Sequence, residues 1–508
     1  MIDKVLIIGM KETYYITTTL PYVNAKPHLG HALEFIQADV LARFQHLLGK
    51  EVVFNTGVDE HGVKIYRKAA ESGMDPQAYC DGFAKQFDAL KSTLNLSYTH
   101  FIRTTDKKHI QAAQEFWRRC ESNGDIYKKN YTVKYCVGCE LEKTDSEIVE
   151  GKCPAHPTYT IEHINEENYF FRFSHYEQVL LDLYDNNPEF VVPKNRLLEI
   201  RNFVAGGLQD FSISRVKEKM PWGVPVPGDE AHVMYVWFDA LVNYISTLGW
   251  PKEEEDFQTY WPGIQVAGKD NLRQQSAMWQ AMLCSAGLPH SKQIYIHGFI
   301  TSDDKKMSKS IGNVIDPVEE VSKYGSDALR FYLLGALPSF DDGDYTSQKC
   351  EEYYTAHLVN GIGNLASRIL TMIEKYANGK VPQFTEDIFS TEKFWQEYQL
   401  AITSFDFHKV IDIIVKLVHA CDSNISAEEP WKKVKENQNI DALLYGLIEC
   451  LRHITIAITP IIPEAAEKLS QKLGGVLDNS IQFTDMVQWG GLKEGRVVVK
   501  GENLFNKV

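Results

Sequence analysis

The sequence predicts an α/β domain built on a parallel sheet, interrupted by an inserted module and followed by a helix bundle. Three observations carry this. β-Branched and apolar runs alternate with amphipathic helical patterns in the first part of the chain. Paired cysteines and short aromatic, polar strands interrupt that alternation from about Ile126 to Pro221. Beyond about Thr346 no convincing strand occurs for over a hundred residues, and helical periodicity dominates.

Tyr14 to Thr19 is β-branched and aromatic, which predicts a buried strand. Leu20-Pro21-Tyr22-Val23-Asn24 turns the chain. A helix is expected from about Leu29 to Leu48, because Leu33, Ile36, Val40, Leu41, Phe44 and Leu48 share one face. Gly49 stops it. Glu51 to Phe54 is the next strand, and the β-α-β crossover is what parallel strands require. Asp75-Pro76 predicts an N-cap and the first residue of another helix. After the interruption the α/β pattern resumes with Tyr235 to Phe238, Ile264 to Gly268 and Gln293 to Ile296. Long helical patterns follow, such as Ile411 to Ala420 and Ala442 to Ile458. No internal repeat or low-complexity tract is found.

At 508 residues the chain has room for about three domains, and 44% apolar with 24% charged residues is ordinary for a globular protein. The net charge of −15 argues against a nucleic-acid coat, although local basic patches remain compatible with it. No apolar run reaches the roughly 18 residues of a membrane span, and no secretory leader opens the chain. No membrane is therefore expected, and the cytoplasm is the expected compartment. Thiols stay reduced there.

His28-Leu29-Gly30-His31 stands where a strand and turn open a helix. A helix N-terminus presents positive potential and unpaired N–H groups, which suit a phosphate. Gly30 permits close approach of a ligand, and two histidines three apart can donate to phosphate oxygens. The ordinary alternative is a pair of solvent-facing histidines. Lys305-Lys306-Met307-Ser308-Lys309-Ser310-Ile311-Gly312-Asn313 reads as a basic loop able to close on a polyphosphate, or else as a solvated charge run. Occurring in this order and setting, the two segments point to ATP.

Cys136-Val137-Gly138-Cys139 is followed, after 13 residues, by Cys153-Pro154-Ala155-His156. Two such knuckles can hold Zn²⁺ tetrahedrally. With all four positions filled, the zinc is expected to be structural. Six cysteines remain, Cys80, Cys120, Cys284, Cys350, Cys421 and Cys450, without metal-like spacing.

With their flanking residues, these segments resemble the signature motifs of the class I aminoacyl-tRNA synthetases, and within that class the methionyl-tRNA synthetase family. The matching stretches are Leu20 to His31, Thr56 to Gly62, Tyr235 to Ala240, Gly268-Lys269-Asp270 and Gly312-Asn313-Val314. The resemblance runs from about Lys11 to the chain end. It implies a Rossmann-like catalytic domain in two halves, 1–121 and 224–298, split by a connective insertion with the zinc knuckle at 122–223. A KMSKS loop and stem-contact region at 299–350, a helix-bundle anticodon-binding domain at 351–492 and a tail at 493–508 follow. Residues 1–9 precede Met10 and look like additional sequence.

The resemblance implies methionine activation with Mg²⁺-ATP and transfer to tRNA(Met), with no DNA partner. His28, His31, Lys306 and Lys309 become the catalytic set, and Gly30, Gly268 and Asp270 join them around ATP. Leu20, Tyr22, Trp237, Tyr244 and Gln275 are implied to line the methionine pocket. Asp59 is implied to hold the amino group and Arg215 to lie near the carboxylate. Asn364, Arg368 and Trp431 are implied to read the anticodon. One departure stands out: the family often places a Phe-His pair where this chain has Gln274-Gln275. An amide can still bond a neighbouring tyrosine hydroxyl. The insertion is too short for the hydrolytic editing domain of the isoleucine, valine and leucine enzymes. With no appended dimerisation domain, a monomer is expected. The competing readings are a cysteinyl or branched-chain synthetase, an adenylate-forming paralogue without tRNA charging, and a non-enzymatic zinc-containing RNA-binding module.

Overall fold

The computed structural model describes residues 11–139, 141–143, 145–252, 254–302, 305–307, 313–478 and 480–507. Six strands form the central sheet: β1 (Thr13–Thr18), β2 (Glu51–Val58), β3 (His100–Arg103), β4 (Val191–Val192), β5 (Ile264–Gly268) and β6 (Gln293–His297). Their order is β3-β2-β1-β5-β6-β4, and every pairing is parallel. The order reverses between β1 and β5. In open α/β sheets, ligands bind in the crevice at the carboxyl ends of such a pair.

Helix α1 (Leu29–Leu47) crosses over from β1 to β2, as its apolar stripe predicts. It is also buried on its polar flank, at Glu34, Gln37, Asp39 and Gln45. The reason is tertiary. One face packs on the sheet, and the other meets helix Ser326–Gly335 and the bundle. Phe44 of α1 makes edge contacts with Tyr398 and Phe483 of the C-terminal half. A fully buried ion pair joins Asp39 to Arg330 at 2.7 Å. Arg330 also donates to the carbonyls of Leu94, Pro460 and Ile461. One guanidinium thus ties α1, the loop before β3 and the bundle together.

The interrupting module is an antiparallel hairpin, Ile126–Cys136 with Glu162–Phe171. The stretch from 122 to 223 is not all inserted, however. Val191–Val192 joins the central sheet beside β6. A two-residue strand carries no periodicity to read. Tyr235 to Phe238 is not a further sheet strand. The strand there is Asp229–Met234, and helix Val236–Ala240 follows. A short apolar run fits either structure; here Phe238 packs on Phe116 and Trp117.

The C-terminal half is helical, with Asn364–Tyr376, Thr391–Thr403, Phe407–Glu428 and Asp441–Ile458 as its long members. Among the described residues no helix is long and apolar enough to cross a membrane.

Candidate active site

A cleft of about 590 Å³ opens at the β1/β5 switch point. Its walls bring together Leu20, Tyr22, His28, Gly30, His31, Asp59, Trp237, Tyr244, Gly268, Asp270 and Gln275. These residues come from four separate stretches of sequence, and each stretch follows a strand of the fold.

The histidine end is set by capping. His28 is the N-cap of α1, and its Nδ1 accepts the Gly30 N–H at 3.1 Å. Nδ1 of His31 accepts the His28 N–H at 3.2 Å, closing a capping box. The two rings stack with centroids 3.7 Å apart. Because both Nδ1 atoms accept, the proton of each ring in its neutral form sits on Nε2. Burial and the neighbouring His28 hold the His31 pKa well below the usual histidine range. Gly30 is required here, since a Cβ would meet the His28 ring at 2.9 Å.

At the opposite end, Tyr22 and Asp59 follow β1 and β2 and form an isolated parallel bridge. Asp59 is buried, and its carboxylate accepts from the Thr104 hydroxyl and the His61 N–H. Tyr22 and Trp237 meet edge to face. Gln275 Nε2 donates to the Tyr244 hydroxyl at 2.7 Å, the bond that its amide chemistry predicts. Trp237 Nε1 and Gln275 Oε1 are buried without a hydrogen-bond partner among the described residues. They leave a donor and an acceptor in the cleft wall for a small polar ligand.

Other expected residues lie elsewhere. Arg215 does not line the cleft. It sits in a separate pocket of about 180 Å³, over the rings of Tyr135 and Tyr235. Strand Lys305–Lys306 pairs with Ile300–Ser302, and Met307 reaches the cleft. Lys309 lies outside the described residues. Asn364 begins helix Asn364–Tyr376 and is exposed. Arg368 is ion-paired with Asp422. Trp431 is 41% exposed rather than buried, which leaves its ring available for stacking.

Two cleft residues escape the sequence reading. Glu34 accepts from the Thr19 N–H and hydroxyl, and His297 bonds Glu34 at 3.1 Å. Burial disfavours the His297 imidazolium, but Glu34 outweighs it and raises the pKa. A carboxylate on a helix flank and a histidine at a strand end belong to no motif. Their only signal is position: Glu34 is one turn beyond His31, and His297 ends β6.

Cys136, Cys139, Cys153 and His156 place one ligand atom each within 4.8 Å of one another. Cys139 Sγ lies 3.5 Å from Cys153 Sγ and 3.2 Å from His156 Nδ1. The edges of a zinc–thiolate tetrahedron are about 3.8 Å, so the donor set fits. Burial and the Cys153 contact push the Cys139 thiol up to about 12, a crowding that a cation relieves. A Cβ on Gly138 would lie 2.5 Å from the His156 ring, so glycine is needed for the knuckle to close. Cys139 and His156 also border the cleft.

A family model described as tRNA synthetases class I (M) matches residues 14–162 and 157–370. The methionine–tRNA ligase of Thermosynechococcus vestitus is 41% identical, covering 98% of this chain and 98% of its own length. That of Brucella melitensis is 41% identical over 94% of each chain. The structure of Mycobacterium tuberculosis methionyl-tRNA synthetase in complex with methionyl-adenylate is similar with a TM-score of 0.91. It is 35% identical and covers 97% of this chain and 99% of its own. With a cleft at the switch point, a capped histidine pair and relatives of this identity along nearly its whole length, the chain belongs to the methionine branch of the class I tRNA synthetases.

Proposed function

We propose that the cleft activates L-methionine with ATP, taken as its Mg²⁺ complex, and transfers the product to the 3′-terminal adenosine of tRNA(Met). The methionine carboxylate attacks the α-phosphorus, giving methionyl-adenylate and pyrophosphate. The adenosine hydroxyl, the 2′ by family resemblance, then attacks the adenylate carbonyl and AMP leaves. The observation carrying this reading is that one cleft joins a phosphate-type helix N-terminus to a buried carboxylate between aromatic walls. His28 and His31 donate through Nε2 to phosphate oxygens as charge develops. Lys306 and Lys309 supply positive charge to the polyphosphate. Gly268 and Asp270 take the adenosine. Asp59 pairs with the α-ammonium. Leu20, Tyr22, Trp237 and Tyr244 enclose the thioether, for which aromatic edges are good partners. ATP–pyrophosphate exchange, run with methionine, isoleucine, leucine, valine and cysteine, tests the assignment. Exchange with methionine alone is expected, and exchange driven better by another amino acid overturns it.

Zinc is the ion we assign to the knuckle, where it holds the hairpin tip against the cleft edge. Metal analysis should return one zinc per chain and none in Cys153→Ser. A structural site of this type supplies roughly 10–16 kcal/mol on binding. The variant should therefore lose order at the tip, read as new proteolytic cleavage between 136 and 156. Unchanged cleavage would leave the knuckle without a structural role.

Asn364, Arg368 and Trp431 are assigned to the anticodon, with Trp431 as the stacking platform. Trp431→Ala should raise KM for tRNA by about 5- to 150-fold, from a stacking loss of ~1–3 kcal/mol. Pyrophosphate exchange should not change. Equal KM values would remove Trp431 from the interface.

A further inference from the structure

Asp59, Trp237 and Tyr244, the residues assigned to methionine, stand on three separate elements. Asp59 is in the loop after β2, Trp237 on helix Val236–Ala240 and Tyr244 on helix Asn243–Ser246. Two residues beyond each lies a buried polar group that does not line the cleft: His61, Asp239 and Ser246. These three are joined through a fourth, His109, on helix Lys107–Ser122. His61 Nδ1 is 2.7 Å from one Asp239 oxygen, and His109 Nε2 is 2.8 Å from the other. His109 Nδ1 is 2.9 Å from the Ser246 hydroxyl.

The ionisation state fixes the direction of the bonds. Burial disfavours the Asp239 carboxylate, yet the two imidazoles outweigh it and keep its pKa below the usual range. As a carboxylate, Asp239 can only accept, so both ring nitrogens facing it donate. With Nε2 donating, Nδ1 of His109 is left to accept from Ser246. Asp239 and His109 are fully buried, where a carboxylate is costly unless every bond is made. Packing alone could be done by apolar side chains. Directional bonds fix the rotation and depth of the elements that carry them.

We infer that the chain His61–Asp239–His109–Ser246 is a positioning device that sets the spacing of Asp59, Trp237 and Tyr244, and so the fit of the amino acid. The inference rests on the assignment of this end of the cleft to methionine. It does not involve the phosphate end, which α1 forms by its own capping.

The test is a split between two Michaelis constants in the exchange assay. Asp239→Asn turns one accepting oxygen into a donor and breaks one bond of the pair. It should raise KM for methionine about tenfold and leave KM for ATP within about twofold. His61→Ala should do the same. His61→Asn sets an amide nitrogen close to where Nδ1 lies and should restore most of the methionine affinity. The control is Asp125→Asn, at the far end of helix Lys107–Ser122. Asp125 is also buried and accepts from Tyr176, Ser285 and Asn123. That variant should lower Tm without moving either KM. If Asp239→Asn does not fold, the His61 pair carries the same comparison. The inference is overturned by an unchanged KM for methionine, by parallel rises in both constants, or by a shift in Asp125→Asn as large as that in Asp239→Asn. If the wild type exchanges with a different amino acid, the assignment to methionine fails, and the same split is then read on that amino acid.

Discussion

Arg330→Met should destabilise the protein by about 3–5 kcal/mol, the usual result of removing one partner from a buried ion pair. Methionine replaces the aliphatic stem of arginine, so packing along the stem changes little and most of the loss reports the polar groups left behind. Those are the Asp39 carboxylate and the carbonyls of Leu94, Pro460 and Ile461. Burial opposes the charge on Asp39, but Arg330 and Arg43 with the Ser97 bonds outweigh it and hold the carboxyl below its usual range. The unfolded chain therefore takes up the Asp39 proton before the folded one as pH falls. This contribution is complete above the ordinary carboxylate value of 3.8 and is lost as pH drops through the folded pKa. The gap between wild type and Arg330→Met should be widest near neutrality and should close in acid. Urea unfolding at pH 7 and pH 3 measures both. Adding Asp39→Asn to Arg330→Met should recover part of the loss, because much of it comes from the unpaired charge. A shift below about 1 kcal/mol at pH 7 would mean that water replaces the guanidinium.

His28→Asn should slow adenylate formation by about 10²- to 10³-fold, the usual effect of removing one transition-state donor. Asparagine is chosen because it caps helices as well as any residue. Its carbonyl can accept the Gly30 N–H that His28 Nδ1 accepts. What is lost is the Nε2–H directed at the ligand. Tm should stay close to wild type, and KM for methionine should move less than about twofold. His28→Ala loses the cap as well and should cost about 1 kcal/mol of stability besides the rate. Pre-steady-state measurement of pyrophosphate release separates the two effects. A His28→Asn rate within threefold of wild type would take His28 out of the phosphate site.

Local chemistry made much of this site readable from sequence. The β1–α1 turn is specified by neighbours: a β-branched run, a turn, a capping histidine and a glycine that can lie under its ring. The cluster of Cys136, Cys139, Cys153 and His156 is readable for the same reason, since each pair of donors sits on one turn. Arg215 shows the limit. Its sequence neighbours do not reveal that its guanidinium faces Tyr135 and Tyr235 instead of lining the cleft. Glu34, His297 and the Asp39–Arg330 pair were equally hidden. Each acquires its partner only when segments far apart in the chain pack together, and a buried charged residue on an amphipathic helix reads as a surface one. The two-residue strand β4 fails for another reason, being shorter than any period.

The outer flank of α1 sets a limit on modularity. That flank is covered by helix Ser326–Gly335 and, at Phe44, by Tyr398 and Phe483 of the C-terminal half, and one continuous apolar cluster runs from the sheet through α1 into the bundle. A fragment ending near Thr346 would keep every cleft residue, yet it would expose Phe44 and strip Arg330 of its Pro460 and Ile461 acceptors. Such a fragment is expected to unfold at lower urea concentration than the whole chain, because it loses these contacts. Exchanging the bundle with that of a relative will succeed only if the residues facing α1 travel with it.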